Sequence, residues 1–151
     1  MRPAAMNPIA AARTYLFVPG DRPERFEKAL ASGADAVVLD LEDAVAPAAK
    51  EAARAAVALA VAAAAAGAGA ARFVVRINAE DTPWFEADLR ALAAAGVSAV
   101  MLPKAERTAT VARVRAAGTE GAGIAVLALI ESARGVLAAE ALAAAPGVAR
   151  L

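Results

Sequence analysis

The chain has 151 residues with no cysteine and no histidine, and its 16 basic and 16 acidic residues give zero formal net charge. This length predicts a single domain, and the balanced charge argues against nucleic-acid binding, which requires a clustered basic excess. The lack of cysteine excludes a disulfide framework and a thiolate zinc site. The lack of histidine excludes the commonest general base and imidazole metal ligation. Any catalysis must therefore use carboxylates, Lys, Arg, backbone groups or a metal held by oxygen.

Neither of two candidate segments predicts targeting or membrane insertion. Residues 1–13, MRPAAMNPIAAAR, lack the continuous apolar core of a signal peptide and predict a flexible N-terminus. The uncharged stretch 55–71 is mostly Ala and Gly, and it is shorter than the ~20 apolar residues of a membrane span. Because Ala is the best helix former, this stretch predicts a soluble helix that ends near Gly67. We therefore expect a cytoplasmic protein without membrane contact.

Strand-like and helix-like segments alternate along the rest of the chain. The predicted strands cover about 14–18, 35–41, 72–77, 98–102 and 124–130, and the predicted helices about 22–32, 47–66, 83–95, 107–117 and 134–144. The last residues, 148–151, indicate the start of a sixth strand. This alternation is typical of parallel βαβ units joined by right-handed crossovers.

Two α/β folds fit this alternation. A dinucleotide-binding open sheet would carry G-x-G-x-x-G after the first strand, whereas this chain has VPGDRPER at 18–25. Charges at successive strand ends instead favour a TIM (β/α)8 barrel, in which those ends build the active site. A barrel needs about 250 residues. The sequence therefore predicts that 14–151 is the N-terminal part of a barrel, truncated to about the first five βα units, with exposed sheet edges that weaken it in isolation.

The alternation of side chains along each strand predicts which charges face the barrel interior. Asp40 and Glu42 share one face of the second strand, and Arg76 ends the inward face of the third. Lys104 comes just after the fourth strand, and Glu131 shares a face with the apolar residues of the fifth. Charges in an apolar mouth must be paired, bound to a metal or used for binding. The alternative to an active site is an internal ion-pair network.

Five motifs, in order, resemble those of one family. They are YLFVPGDRPERFEKA at 15–29, VVLDLEDAV at 37–45, VVRIN at 74–78, MLPK at 101–104 and ALIESARG at 128–135. Together they resemble the citrate lyase β-subunit-like family of the HpcH/HpaI aldolase superfamily, whose relatives include malyl-CoA and citramalyl-CoA lyases. The resemblance covers about 14–151. It implies a (β/α)8 barrel that forms or cleaves a carbon–carbon bond next to a thioester carbonyl, using Mg²⁺.

The resemblance also implies roles for individual residues. Glu131 matches the first metal-ligand position, and Arg76 matches the position that binds the substrate carboxylate, where a guanidinium can form a bidentate pair. Phe17, Arg22 and Lys28 match positions that hold the CoA nucleotide and phosphates in CoA-dependent relatives. The alternative interpretation is that Phe17 belongs to the core and that the two cations are solvated helix charges.

Other parts of the implied site are less complete. Glu42 and Asp43, with Lys104, match residues lining the same mouth but carry no assigned chemical step. The resemblance places a second metal carboxylate in a Gly-x-x-Asp-Leu motif a few residues beyond Leu151, and a catalytic Asp near the C-terminus that a neighbouring subunit donates. We therefore expect this chain to hold at most half of the metal site and to be inactive or nearly so. The full-length protein is expected to be a homo-oligomer, a trimer or hexamer.

The expected reaction is Mg²⁺-dependent cleavage of a 3-hydroxyacyl thioester of the citryl-, malyl- or citramalyl-CoA type into an acyl thioester and a 2-keto acid. Mg²⁺ prefers carboxylate oxygens, keeps several waters and polarises substrate oxygens, so histidine is not required. Two alternatives remain open. One is a metal-dependent pyruvate aldolase of the same superfamily that does not use CoA, and the other is a non-catalytic subunit that binds a thioester carrier. The acyl group, and the choice between CoA and an acyl-carrier protein, are left undecided.

Overall fold

The computed structural model describes residues 8–65, 72–118 and 123–151. The strands are β1 (Tyr15–Pro19), β2 (Ala36–Asp40), β3 (Phe73–Arg76), β4 (Ala99–Leu102), β5 (Ala125–Ala128) and β6 (Val148–Arg150). The helices are α1 (Pro8–Ala11), α2 (Phe26–Leu30), α3 (Lys50–Ala65), α4 (Phe85–Ala94), α5 (Thr108–Ala116) and α6 (Ala133–Ala144). Short 3₁₀ turns at Pro23–Arg25 and Pro47–Ala49 precede α2 and α3.

The six strands form one sheet in the order β1-β2-β3-β4-β5-β6, and every neighbouring pair is parallel. The sheet curves enough for a side chain of the last strand to reach the first strand. Arg150 of β6 donates a hydrogen bond to the hydroxyl of Tyr15 in β1, at 3.1 Å, and another to the carbonyl oxygen of Ala12. The predicted α/β fold, part of a TIM-type barrel, is confirmed, and the sixth strand is present.

Apolar side chains cover both faces of the sheet, as is usual for parallel sheets flanked by helices. The outer faces of the strands pack against α3 to α6 in the larger cluster, which includes Val37, Leu39, Val75, Val100, Val126, Val57, Phe85, Val111 and Leu142. The inner faces form a second cluster of Ile9, Ala12, Ala36, Val38, Val74, Ala99, Met101 and Leu127. The inner cluster fills the start of the barrel, so the polar residues at the strand ends lie above an apolar floor.

The N-terminal segment contributes a short helix. Within residues 1–13, for which the sequence predicts flexibility, α1 packs under the inner side of the sheet, where Ile9 is only 1% exposed. The hydroxyl of Tyr15 donates a hydrogen bond of 2.8 Å to the carbonyl oxygen of Ile9. The physical reason is that the inner face of β2 to β5 would otherwise be open to water at this end. The first seven residues lie outside the described part of the chain.

Most predicted elements are present, with boundaries shifted by one or a few residues. The predicted helix at 22–32 is wrong in detail, since a 3₁₀ turn begins at Pro23 and the helix itself covers only Phe26–Leu30. The Ala-rich helix α3 buries Ala53, Val57 and Val61 at four-residue spacing, which gives it one face toward the sheet. Its predicted end at Gly67 lies outside the described residues. In the described part of the chain, no helix is both long and apolar enough to cross a membrane.

Candidate active site

The last residues of β2 and β3 form a buried ion pair. Asp40 and Arg76 are register partners at the carboxyl ends of their strands. Nε of Arg76 lies 2.8 Å from Oδ1 of Asp40, and Nη2 lies 2.5 Å from Oδ2. Asp40 is 1% exposed and the Arg76 side chain 13%. The hydrogen bonds that Arg76 donates to Asp40 raise the pKa of Arg76. A bidentate pair of this kind is geometrically specific as well as strong.

Glu42 lies beside this pair and is also buried. Its Oε2 is 3.3 Å from Nη1 of Arg76, and its Oε1 accepts a 3.0 Å hydrogen bond from Nζ of Lys104. Oε2 is within ion-pair distance of the guanidinium but accepts no hydrogen bond from any described residue. Burial raises the pKa of Glu42, although Lys104 and Arg76 both oppose that shift. The carboxylate is therefore held by two cations and only partly satisfied by them.

Lys104 connects Glu42 to Glu131. Its backbone N–H donates a 2.8 Å hydrogen bond to Oε1 of Glu131, which follows β5. Lys104 has φ of 47°, and it is the only non-glycine residue with positive φ in the described part of the chain. This left-handed conformation is costly for a side-chain-bearing residue and tends to occur at functional sites. The contact with Glu42 raises the pKa of the Lys104 ammonium.

The contacts form one continuous series across the carboxyl ends of four strands. Arg76 from β3 touches Glu42 after β2, Glu42 touches Lys104 after β4, and Lys104 touches Glu131 after β5. As expected from the sequence, these charged residues lie together at one mouth. Asp43 is peripheral, because its side chain is 77% exposed and its carboxylate lies 3.9 Å from Arg76.

The three residues matched to CoA positions are distributed unevenly. The Phe17 ring lies 5.2 Å from the guanidinium carbon of Arg76, and this residue is 45% exposed rather than part of the core. Phe17 and Lys28 line the same open groove between β1 and α2. Arg22 is not among the residues that line this groove, and it lies 3.9 Å from the carboxylate of Asp21. The structure therefore brings Phe17 and Lys28 together and leaves Arg22 apart.

Two buried residues at the mouth were not proposed as site residues from the sequence. One is Asp40, whose inward direction was predicted but whose pairing with Arg76 was not. The other is Lys50, at the start of α3, which donates 2.6 Å hydrogen bonds to the carbonyl oxygens of Leu41 and Glu42. Its Nζ also lies 5.1 Å from the centre of the Trp84 ring, and burial lowers its pKa. The sequence did offer one indication of this residue, namely a lysine at the start of a helix that is otherwise almost entirely apolar.

The donors at the mouth suit Mg²⁺ in type but form only part of a ligand set. Glu131 presents an exposed carboxylate beside the mouth, whereas Asp40 and Glu42 are occupied by cations. Within the described ranges, no three or more acidic residues are placed to hold a metal ion together. Mg²⁺ is commonly bound by one or two carboxylates, with waters and substrate oxygens completing the octahedron. Glu131 fits the role of one such ligand.

Comparison with known proteins identifies relatives of the whole chain. Residues 13–151 match the family described as HpcH/HpaI aldolase/citrate lyase. The citrate lyase subunit beta-like protein of Mycobacterium tuberculosis is 48% identical over 140 residues, which are 93% of this chain and 46% of the relative. The (3S)-malyl-CoA thioesterase of Cereibacter sphaeroides is 38% identical over 135 residues, which are 89% of this chain and 45% of the relative. The chain thus spans about half the length of the curated relatives it matches.

Solved structures agree with this relationship. The citrate lyase beta subunit of M. tuberculosis complexed with oxaloacetate and magnesium has a TM-score of 0.76 and 45% identity, over 93% of this chain and 57% of that one. CitE from the same organism, in complex with magnesium, acetoacetate and coenzyme A, has a TM-score of 0.75 and 46% identity, over 92% of this chain and 47% of that one. The chain therefore belongs to the HpcH/HpaI aldolase/citrate lyase family.

Proposed function

We propose that the protein is a Mg²⁺-dependent carbon–carbon lyase that cleaves a 3-hydroxyacyl thioester of the citryl-, malyl- or citramalyl-CoA type. The products are an acyl thioester and a 2-keto acid. The observation that carries this proposal is the connected series from Arg76 to Glu131, which sets a cation and an exposed carboxylate at one mouth. Solved relatives in complex with magnesium and oxaloacetate, or with coenzyme A, support the ligand classes.

Arg76 is assigned to the carboxylate of the substrate. Asp40 occupies the edge formed by Nε and Nη2. A ligand can use the second Nη2 hydrogen, and it shares the Nη1 side with Oε2 of Glu42, 3.3 Å away. The Phe17 ring lies against the guanidinium, so the cation faces an apolar surface rather than bulk water on that side. In such a partly desolvated place a charge-assisted hydrogen bond to a carboxylate is strong and directional.

Glu131 is assigned as one ligand of the metal. Bound Mg²⁺ would act as a Lewis acid on the substrate's 3-hydroxyl oxygen, which becomes the keto oxygen of the product. The backbone N–H of Lys104 holds one carboxylate oxygen of Glu131 at 2.8 Å, which fixes the direction in which the other oxygen can bind. Such outer contacts orient metal ligands and tune their affinity.

Phe17, Lys28 and Arg22 are assigned to the CoA part of the substrate. The groove shared by Phe17 and Lys28 offers an aromatic surface and an ammonium group close together, which suits a nucleotide carrying phosphates. CoA affinity also separates this proposal from a pyruvate aldolase of the same family. Saturable binding of free CoA that weakens in Lys28→Ala would favour the thioester lyase. If the protein binds neither free CoA nor an acyl-carrier protein, the pyruvate aldolase would be favoured.

Steady-state kinetics of the full-length protein would test the role of Arg76. Arg76→Ala should lose transition-state stabilisation on the order of 2–5 kcal/mol in kcat/KM for malyl- or citramalyl-type thioesters, because the substrate carboxylate loses its cation. Arg90→Ala is the matched control, since Arg90 is exposed on α4. Near-normal kcat/KM in Arg76→Ala would place this residue in a purely structural ion-pair network.

Calorimetric titration with Mg²⁺, with and without oxaloacetate or pyruvate, would test the role of Glu131. The present chain should bind Mg²⁺ weakly and a version extended through the following strands appreciably better, with keto acid strengthening both, since its oxygens help to complete the octahedron. Circular dichroism must first establish that both versions are folded. Glu131→Gln should weaken binding in the extended protein, whereas Glu140→Gln on the exposed side of α6 should not. Unchanged Mg²⁺ binding and turnover in Glu131→Gln would refute the metal-lyase assignment.

A further inference from the structure

We propose that Asp40 is the positioning residue of the mouth, and that it sets both the orientation of Arg76 and the position of Glu42. Its carboxylate accepts four hydrogen bonds and is 1% exposed. Two come from Nε and Nη2 of Arg76. The other two come from the backbone N–H groups of Glu42, at 2.8 Å, and of Ala44, at 3.2 Å. Each oxygen thus binds one guanidinium nitrogen and one backbone nitrogen.

The bidentate contact fixes the plane of the Arg76 guanidinium. A guanidinium held at one edge by both carboxylate oxygens cannot rotate about its last side-chain bonds without losing both hydrogen bonds. Phe17 lies against the same group at 5.2 Å. The remaining donors, on Nη1 and the outer side of Nη2, are therefore presented in one direction. Without Asp40, Arg76 would be free to turn fully onto Glu42, whose Oε2 is already 3.3 Å from Nη1.

The two hydrogen bonds that Asp40 accepts from the backbone fix the position of Glu42. They close a turn immediately after β2, in the way that aspartate side chains commonly cap turns. That turn carries Glu42, whose Oε1 binds Lys104. Lys104 in turn binds Glu131 through its backbone. Asp40 does not itself face a ligand, because it is enclosed between Arg76 and the turn, so it acts through the residues that it holds.

The chain contains a matched control for this inference. Asp88 of α4 is also fully buried, and its Oδ1 accepts a 2.7 Å hydrogen bond from Nε of Arg54. Its Oδ2 accepts hydrogen bonds from the backbone and the side-chain amide of Asn78, at 2.9 and 2.7 Å. Asp88 therefore resembles Asp40 in burial and charge, and it accepts three hydrogen bonds where Asp40 accepts four. It lies between α3, α4 and the segment after β3, and it contacts none of the residues assigned to substrate or metal.

The test rests on the proposed role of Arg76 and measures selectivity for a carboxylate. The ratio of dissociation constants for methyl pyruvate and pyruvate is measured on the full-length, Mg²⁺-loaded protein. Asp40→Asn keeps the shape of the side chain but sets an amide N–H₂, a donor, against the donors of Arg76 or of the backbone. The preference for pyruvate over methyl pyruvate should therefore fall by about ten-fold or more. Asp88→Asn should leave that ratio within about three-fold, since each variant loses a buried pair but only one alters the mouth.

The outcomes separate this inference from the proposed function. If Arg76→Ala lowers the preference for pyruvate by about ten-fold or more while Asp40→Asn leaves it within about three-fold, the inference about Asp40 is overturned and the function of Arg76 stands. If Arg76→Ala also leaves the ratio within about three-fold of its unsubstituted value, the proposed function of Arg76 is overturned. An equal loss of selectivity in Asp88→Asn would show a general effect of destabilisation and would also refute the positioning role.

A second measurement does not depend on whether Asp40→Asn folds. In nuclear magnetic resonance spectra of the unsubstituted protein, the Nε–H signal of Arg76 is identified by its disappearance in Arg76→Lys. This proton should exchange with water far more slowly than the Nε–H of exposed Arg90, because it is hydrogen-bonded to buried Asp40. This resonance should be present without metal or substrate. Exchange as fast as that of Arg90 would mean that the guanidinium is not held by Asp40, and the inference would fail.

Discussion

The strongest stability prediction concerns the Asp40–Arg76 pair. Arg76→Met keeps much of the side-chain volume but leaves the carboxylate of Asp40, which is 1% exposed, without its cation. It also removes the cation 3.3 Å from Glu42. Breaking a buried pair by removing one partner typically costs about 3–5 kcal/mol, because an uncompensated charge stays in a low-dielectric place. We expect the free energy of unfolding to fall by roughly that amount.

The double variant distinguishes charge pairing from simple loss of packing. In Arg76→Met/Asp40→Asn the charge of Asp40 is removed together with its partner, and Glu42 keeps its contact with Lys104. The asparagine oxygen can still accept the backbone N–H of Glu42 or Ala44. The two substitutions should therefore be less harmful together than the sum of the single variants, by at least about 1 kcal/mol, well beyond the usual additivity error of about 0.3–0.5 kcal/mol. Restored stability should not restore substrate binding, since Arg76 is still missing.

Urea unfolding followed by circular dichroism at neutral pH measures all four corners of this cycle. The m-values should agree among the variants, so that midpoints report stability rather than a change in compactness. The exposed pair Arg113–Glu86 is the control, with side chains 48% and 54% exposed, and its cycle should give a coupling near the additivity error because surface pairs contribute little. Additive effects of Arg76→Met and Asp40→Asn would refute the claim that the buried pair is coupled.

Three further predictions concern the residues that connect the mouth. Burial raises the pKa of Glu42 above its usual 4.5. The free energy of unfolding should therefore decrease as the pH rises from 4.5 through the raised pKa, because the protonated form is the one that the folded state favours. In Glu42→Gln, the free energy of unfolding measured by denaturation should depend less on pH across that range. Lys50→Met leaves two backbone carbonyl oxygens without the ammonium group that donates 2.6 Å hydrogen bonds to them. The free energy of unfolding, measured in urea, should fall by about 1–3 kcal/mol or more. Equal stability would show that water replaces the ammonium group. Lys104 has φ of 47°, so Lys104→Gly should be more stable than Lys104→Ala by about 1 kcal/mol in the same assay, the reverse of the usual order.

The sequence alone determined the arrangement of elements and the direction of most site residues. Apolar segments that each end in a charge predicted parallel strands with one polar end, and period-two alternation predicted that Asp40 and Glu42 share a face. Arg76, Lys104 and Glu131 were placed at the same mouth for the same reason. These features follow from local chemistry, since side-chain alternation and strand length are properties of each segment by itself.

Only the tertiary structure decided which of those groups touch. Asp40 pairs with Arg76 because β2 and β3 align these two residues in register at their last positions. The positive φ of Lys104, which lets its backbone bind Glu131, depends on the approach of the segments after β4 and β5. Likewise, Ile9 is buried only because the curved sheet leaves an apolar inner face for it to cover. Contacts between segments distant in sequence are set by register and curvature, which no single segment encodes.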